Sequence, residues 1–136
     1  SYSHDIKETD PRTIFIDFEL EQSAKEQGIH VYLPFGLRVG RWTNYITIDN
    51  SEPHFNTGVN TIAKGTHKFV VTIESTVETG KMYYKGNVIP NTPQSSVGGY
   101  YYDPKVMSKE GKRKLNRAML WNRVLTDEEI TKLMEG

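Results

Sequence analysis

Between residues 13 and 21 the chain alternates. Ile14, Ile16, Phe18 and Leu20 fall on one side of an extended backbone, and Phe15, Asp17, Glu19 and Glu21 fall on the other. A helix would scatter those four aliphatic and aromatic residues around its circumference, so a spacing of two calls for a strand with one face in a core. The same period returns at residues 67–76, where Phe69, Val71 and Ile73 are in phase, and at residues 45–49, where Ile46 and Ile48 oppose Tyr45, Thr47 and Asp49. It returns again at residues 115–124, with Ala118 and Leu120 opposite Met119 and Trp121. Shorter strands are predicted at 29–33, where Pro34 ends the run, at 37–39, and at 81–85 and 88–89 around the turn pair Gly86-Asn87. Residues 22–28, 50–53, 64–66 and 91–99 read as loops or turns, and 54–63 as an ambiguous edge with a turn at Gly58. Tyr100, Tyr101 and Tyr102 form one more strand candidate, followed by a polar loop over 103–112. Many short strands with Gly and Pro turns predict an all-β, antiparallel fold, a β-sandwich or a jelly roll.

The pattern changes once, near the end of the sequence. Thr126-Asp127-Glu128-Glu129 is a capping box: the Thr126 hydroxyl suits the free amide of Glu129, whose carboxylate can reach back to the Thr126 amide. Asp127 and Glu128 favour the positive end of a helix. Ile130, Leu133 and Met134 then supply the apolar stripe of a short C-terminal helix that ends at Gly136. Lying beyond the last strand, Ile130 and Leu133 are expected to close an open end of the sandwich.

The 136 residues suit one domain, with 1–12 as a flexible N-terminal segment and 13–136 as the folded unit. Seventeen basic residues balance seventeen acidic ones, so no bulk field draws the chain to nucleic acid or to an anionic membrane. The local exception is the basic stretch around Lys109, Lys112, Arg113, Lys114 and Arg117, which lacks interleaved aromatics and reads as a solvated loop. Cysteine is absent, which removes disulfides, thiolate chemistry and Cys-based zinc sites. No apolar run approaches the ~20 residues of a membrane-spanning helix, so membrane insertion is not expected.

The run from Leu115 through Trp121, Asn122, Arg123, Leu125 and Thr126 to Glu129 and Ile130 resembles the closing segment of laminin-G-like domains, the concanavalin A-like lectin and glucanase jelly rolls. There a last strand ends in an aromatic-Asn-Arg-x-Leu-Ser/Thr-x-x-Glu-Ile pattern. Residues 65–73 followed by 81–89, with the turn Tyr84-Lys85-Gly86, are similar to that family's adjacent strands. Asn116 departs from the pattern, since the family often has an acidic residue there. The resemblance implies the jelly-roll fold and a recognition module for glycans. The terminal motif itself is explained by strand alternation and capping, so it speaks for a fold more than for a function.

Each candidate chemistry has a plain structural alternative. Asp17, Glu19 and Glu21 share a strand face, as paired glycosidase carboxylates must, but their spacing differs from the Glu-x-Asp-x-x-Glu of related glucanases, and a solvated face explains them as well. Catalysis is therefore not expected. His4, His30, His54 and His67 have no metal-ligand spacing. No cofactor is expected; the oxygen-rich turns at 49–52 and Asp103 offer calcium ligands, although Asx turns use the same residues without metal. Sugar recognition needs an aromatic face beside Asn, Asp or Arg. Arg41, Trp42, Asn44 and Tyr45 supply that set, as do Tyr100, Tyr101, Tyr102 and Asp103, and Tyr83 with Tyr84 offers a third aromatic group. Each could instead fill the core, yet three consecutive tyrosines on a strand cannot all point inward.

The expected function is non-catalytic recognition, carbohydrate binding within a larger secreted or cell-surface protein. The alternative is a structural or assembly domain, for example in a phage tail or fibre, where the same fold mediates protein contacts. The partners expected are accordingly a glycan or a protein ligand, with the chain forming a homo-oligomer or part of a multidomain protein, and the location extracellular, cell-surface or virion.

Overall fold

A computed structural model describes residues 10–40, 45–48, 53–59, 61–92 and 111–136. Within them the chain is mostly β-strand, in two antiparallel sheets, with a short C-terminal helix. Strands β1 (Arg12–Leu20), β6 (Gly65–Ile73), β7 (Lys81–Tyr84), β8 (Asn87–Pro90) and β9 (Lys114–Trp121) form one sheet in the order β8-β7-β6-β1-β9. Strands β2 (Val31–Tyr32), β3 (Leu37–Val39), β4 (Tyr45–Ile48) and β5 (His54–Asn56) form the other in sequential order.

The period of two in β1 is realised directly. Ile14, Ile16, Phe18 and Leu20 join Phe69, Val71, Ile73, Met82 and Tyr84 of the same sheet and Val31, Leu37, Val39, Ile46 and Phe55 of the other in one buried cluster. The opposite face of β1 is covered too. Phe15 and Val70, paired across β1 and β6, are fully buried under Leu125 and Ile130, with Tyr83, Trp121, Leu133 and Met134 at the margin. Helix α2 (Asp127–Glu135) therefore lies on the far face of the five-stranded sheet, not over an open end as its position in the sequence suggested. Phe15 explains the difference: it is a large apolar side chain on the otherwise acidic face of β1, and it needs a cover.

The corner before α2 is pinned from a distance. The fully buried Thr13 hydroxyl donates to the Arg123 carbonyl at 2.8 Å and accepts from the Leu125 amide at 2.9 Å. The capping box forms as expected, with the Glu129 amide donating to Thr126 Oγ1 at 3.2 Å and the Thr126 amide donating to Glu129 Oε1 at 3.0 Å. Arg123 forks the same carboxylate at 2.8 and 2.6 Å. That hydrogen bonding, led by the guanidinium, holds the Glu129 carboxyl down at about 2.

Local chemistry sets the remaining elements. The segment expected to be a plain loop at 22–28 holds a single helical turn, α1 (Ala24–Gln27), with Ser23 accepting from the Glu26 amide and Gly28 closing it in the left-handed conformation. Strand β6 begins at Gly65 and absorbs two residues of the expected turn. The β7–β8 hairpin turns on Lys85 and Gly86, both at positive φ, as a two-residue turn requires. Where β1 meets β9 the register slips after Asp17, leaving Asn116 as an extra residue. After β8 the chain reaches across to the other sheet: the Thr92 amide donates to the His54 carbonyl, and the His54 amide donates to Asn91 Oδ1, each at 2.7 Å.

Replacing Thr13 with Val keeps the shape but strands a part-buried carbonyl and a buried amide. Thr13→Val is expected to lower the unfolding free energy in urea by about 1–3 kcal/mol, the penalty for unsatisfied buried groups. Thr13→Ser, which keeps the hydroxyl, should lose less.

Candidate functional site

Helix α2 divides the outer face of the five-stranded sheet. On one flank, between α2 and the β7–β8 hairpin, runs a groove of about 590 Å³. Tyr83 stands in it with Val88 and Met134 as apolar walls, and Asn87, Asp127 and Thr131 bring polar groups to its rim. Tyr83 is aimed here by alternation, because its neighbours Met82 and Tyr84 face the core. Burial is the main cause of its raised phenol pKa; the charge of Asp127 and a hydrogen bond to that carboxylate raise it further. Val88 is 56% exposed, which leaves the groove an apolar lip open to solvent.

Behind the groove, Tyr84 points inward. Its hydroxyl lies 2.8 Å from His67 Nδ1, and His67 Nε2 lies 2.7 Å from the Ala63 carbonyl. A carbonyl can only accept, so Nε2 carries the proton; with its pKa lowered, His67 is neutral at pH 7, and Nδ1 then accepts from the tyrosine. Burial pushes its pKa below the ordinary value, with Lys85 adding to the shift, while the Ala63 carbonyl opposes it. Burial likewise raises Tyr84 to about 12. Phe18 and Phe69 enclose the pair, at ring-centroid distances of 5.5 Å from His67 and 4.9 Å from Tyr84 respectively.

A second hollow, about 480 Å³, opens where β2 and the start of β9 meet the end of β1. Tyr32, Glu19, Glu21, Lys112, Arg113 and Lys114 border it. A third, of about 410 Å³, lies on the other flank of α2 beside Trp121, Arg117 and Lys132.

The acidic face of β1 is less solvated than its sequence implied. Asp17 is only 8% exposed, and its carboxylate accepts from Asn116 Nδ2 at 3.2 Å and pairs with Arg117 Nε at 3.8 Å. Arg117 also covers the Phe15 ring, with Cζ 4.9 Å from the centroid. Glu19 pairs with Lys114 at 3.6 Å and accepts from Thr66 Oγ1 at 3.4 Å. Two of the three acids are thus engaged in holding strands together, and Glu21 alone of them is exposed beyond the strand end.

Of the sequence-derived ligand residues, Arg41, Trp42, Asn44, Tyr100, Tyr101, Tyr102 and Asp103 lie outside the described residues, as do the oxygen-rich turn residues at 49–52. Tyr45 lies in β4, its backbone paired with Asn56. The third aromatic group, Tyr83 with Tyr84, splits between groove and core. The partners that α2 brings to Tyr83 carry no local sequence signal, because more than forty residues separate Tyr83 from Asp127. Among the described residues, no group of three or more His, Cys, Asp or Glu side chains is arranged to hold a metal ion, and no helix is long and apolar enough to cross a membrane. No protein-family model, curated protein or solved structure matches the chain.

The buried neutral histidine gives stability a pH dependence of defined sign. The unfolded chain protonates His67 near 6.5, whereas the folded chain does so only at lower pH. This contribution is complete above pH 6.5 and is lost as pH falls from there through the folded-state value. Urea midpoints measured from pH 8 to pH 5 should fall on acidification, and His67→Gln should flatten that dependence.

Proposed function

We propose that this domain is a non-catalytic recognition module that binds carbohydrate as part of a larger secreted or surface protein, and that its two sheets are the halves of a concanavalin-type, laminin-G-like jelly-roll sandwich. The observation that carries the reading is the groove at Tyr83. A saccharide ring presents an apolar face of C–H groups and a rim of hydroxyls, so its receptor needs an aromatic surface with hydrogen-bonding groups around it. Tyr83 supplies the aromatic surface, Asp127 accepts, Asn87 both donates and accepts, Thr131, whose hydroxyl proton goes to the Asp127 carbonyl, accepts, and Lys81 donates. The fold assignment is supported by the terminal motif, which turns at Asn122 and Arg123 into a capped helix, and by a buried cluster drawn from both sheets. Arg41, Trp42, Asn44, Tyr45 and Tyr100–Asp103 remain part of the proposal as further aromatic and polar ligand residues.

A second reading, a structural or assembly domain such as one from a phage tail or fibre, draws on a different feature. Strand β9 ends the five-stranded sheet with no partner on its outer edge among the described residues, and Leu115 and Met119 on it are 38% and 40% exposed. Open edges with apolar side chains are templates for pairing with another chain. Sedimentation separates the two readings: a defined oligomer that Met119→Lys dissolves favours assembly, and a monomer at high concentration counts against it.

The carbohydrate reading is tested on a glycan array with the wild-type chain and Tyr83→Ala. An aromatic contact is worth about 0.5–1.5 kcal/mol beyond the area it covers, so the substitution is expected to weaken retention roughly tenfold while the circular dichroism spectrum keeps its β signature; the melting temperature falls, because Tyr83 also packs against the Phe15 cluster. An array without hits, or hits indifferent to Tyr83, would overturn it.

A further inference from the structure

The hollow at Tyr32 is built from a segment held in place by its backbone. The Gly111 amide donates to the His30 carbonyl at 2.7 Å. Gln27 then clamps the next residue on both sides: the Lys112 amide donates to its Oε1 at 2.7 Å, and its Nε2 donates to the Lys112 carbonyl at 3.0 Å. A Cβ on Gly111 would lie 2.6 Å from Val31 Cγ2, so only glycine permits this approach. Arg113 is then fixed by its Nε, which donates to the Tyr32 carbonyl at 2.9 Å. That bond leaves the two terminal amino groups of the guanidinium without a protein partner among the described residues.

The charges around the hollow are unevenly satisfied. Lys114 is paired with Glu19 at 3.6 Å. Lys112 and Arg113 form no ion pair among the described residues, and neither does Glu21, which also lines the hollow. The site therefore offers a planar two-pronged cation, a second cation, one free carboxylate and the Tyr32 side chain. A guanidinium with both terminal nitrogens free matches a planar carboxylate. Glu21 needs a hydrogen-bond donor, and Tyr32 suits a ring with an apolar face. One ligand class meets all three demands on a single ring: a sugar bearing a carboxylate.

We infer that this hollow is a second binding site, separate from the Tyr83 groove, for a uronic acid residue of an acidic oligosaccharide. The sugar carboxylate lies on Arg113 and Lys112, its hydroxyls donate to Glu21, and its ring packs against Tyr32. An acidic peptide fits less well, because it brings Tyr32 no ring with an apolar C–H face and carries its carboxylates on flexible side chains. The inference goes beyond the carbohydrate reading of the Tyr83 groove and does not depend on it.

The test is a titration of the full ¹⁵N-labelled chain with a uronic-acid hexasaccharide, a neutral hexose hexasaccharide and a hexaglutamate peptide, followed by amide shifts and calorimetry. The uronate should shift the Gly111, Lys112 and Lys114 amides and weaken in 0.5 M salt, while the other two probes leave those amides in place. Arg113→Ala should reduce uronate affinity at least tenfold, from loss of a charge-assisted forked pair, and Arg113→Lys should fall between. Lys112→Ala, which changes a side chain with no described protein contact, should weaken binding without moving the melting temperature. Tyr83→Ala should leave this binding unchanged even if it abolishes retention at the other groove. No amide shift with uronate, undiminished binding in Arg113→Ala, or equal binding of hexaglutamate would each overturn the inference.

Discussion

Strand β1 is buried on both faces, and the rest of the molecule is arranged around that constraint. Its even-numbered side chains need a core, which β6, β7 and the second sheet supply. Its odd-numbered side chains include Phe15, too large and apolar to face water, and this is why a helix must return over the sheet. Phe15 lies between two kinds of cover, the aliphatic residues of α2 and the Arg117 guanidinium, and the guanidinium also reaches Asp17 two residues along the same face. One arginine thus covers an aromatic ring and neutralises a nearly buried carboxylate. Removing one partner of such a set costs more than the direct contact, because the other is left buried without compensation.

The helix does more than cover Phe15. It turns a flat sheet face into concave ground by standing above it, and the groove at Tyr83 exists because α2 and the β7–β8 hairpin rise on either side of it. The two hollows given functional readings differ in kind. The one at Tyr83 is mainly apolar with a hydrogen-bonding rim, whereas the one at Tyr32 is ringed by charges held on a rigid backbone clamp.

Where the sequence was legible, the reason is local. The period of two in 13–21 placed Ile14, Ile16, Phe18 and Leu20 in the core, and Thr126 with Glu129 located the start of the helix, because each pattern is complete within a few residues. The position of the helix was not legible. Nothing near Ile130 says that Phe15 and Val70 are its partners, and the expectation of an end-cap failed for that reason. Asp17 was misjudged in the same way, since Arg117 and the bulged Asn116 meet it only through the register of β1 with β9. The site residues divide similarly: Tyr83 was visible as an aromatic, but its polar neighbours on α2 come from tertiary structure. Arg113 was visible as one charge in a basic stretch and acquires a role only when its Nε is fixed on the Tyr32 carbonyl.

The Thr13 hydroxyl spans 110 residues to reach the corner at Arg123 and 112 to reach Leu125. That span sets the order in which a nascent chain can fold. Strand β1 leaves the ribosome well before β9 and α2, so one of its two sheet neighbours and the cover of its outer face arrive later than it does. Until then β1 presents an open edge and an uncovered Phe15, and closing long loops late is slow. The acidic residues Asp17 and Glu19 beside that edge give the waiting strand charges that discourage pairing with other chains. The side chains that later hold β9 can thus protect β1 during the interval before β9 exists.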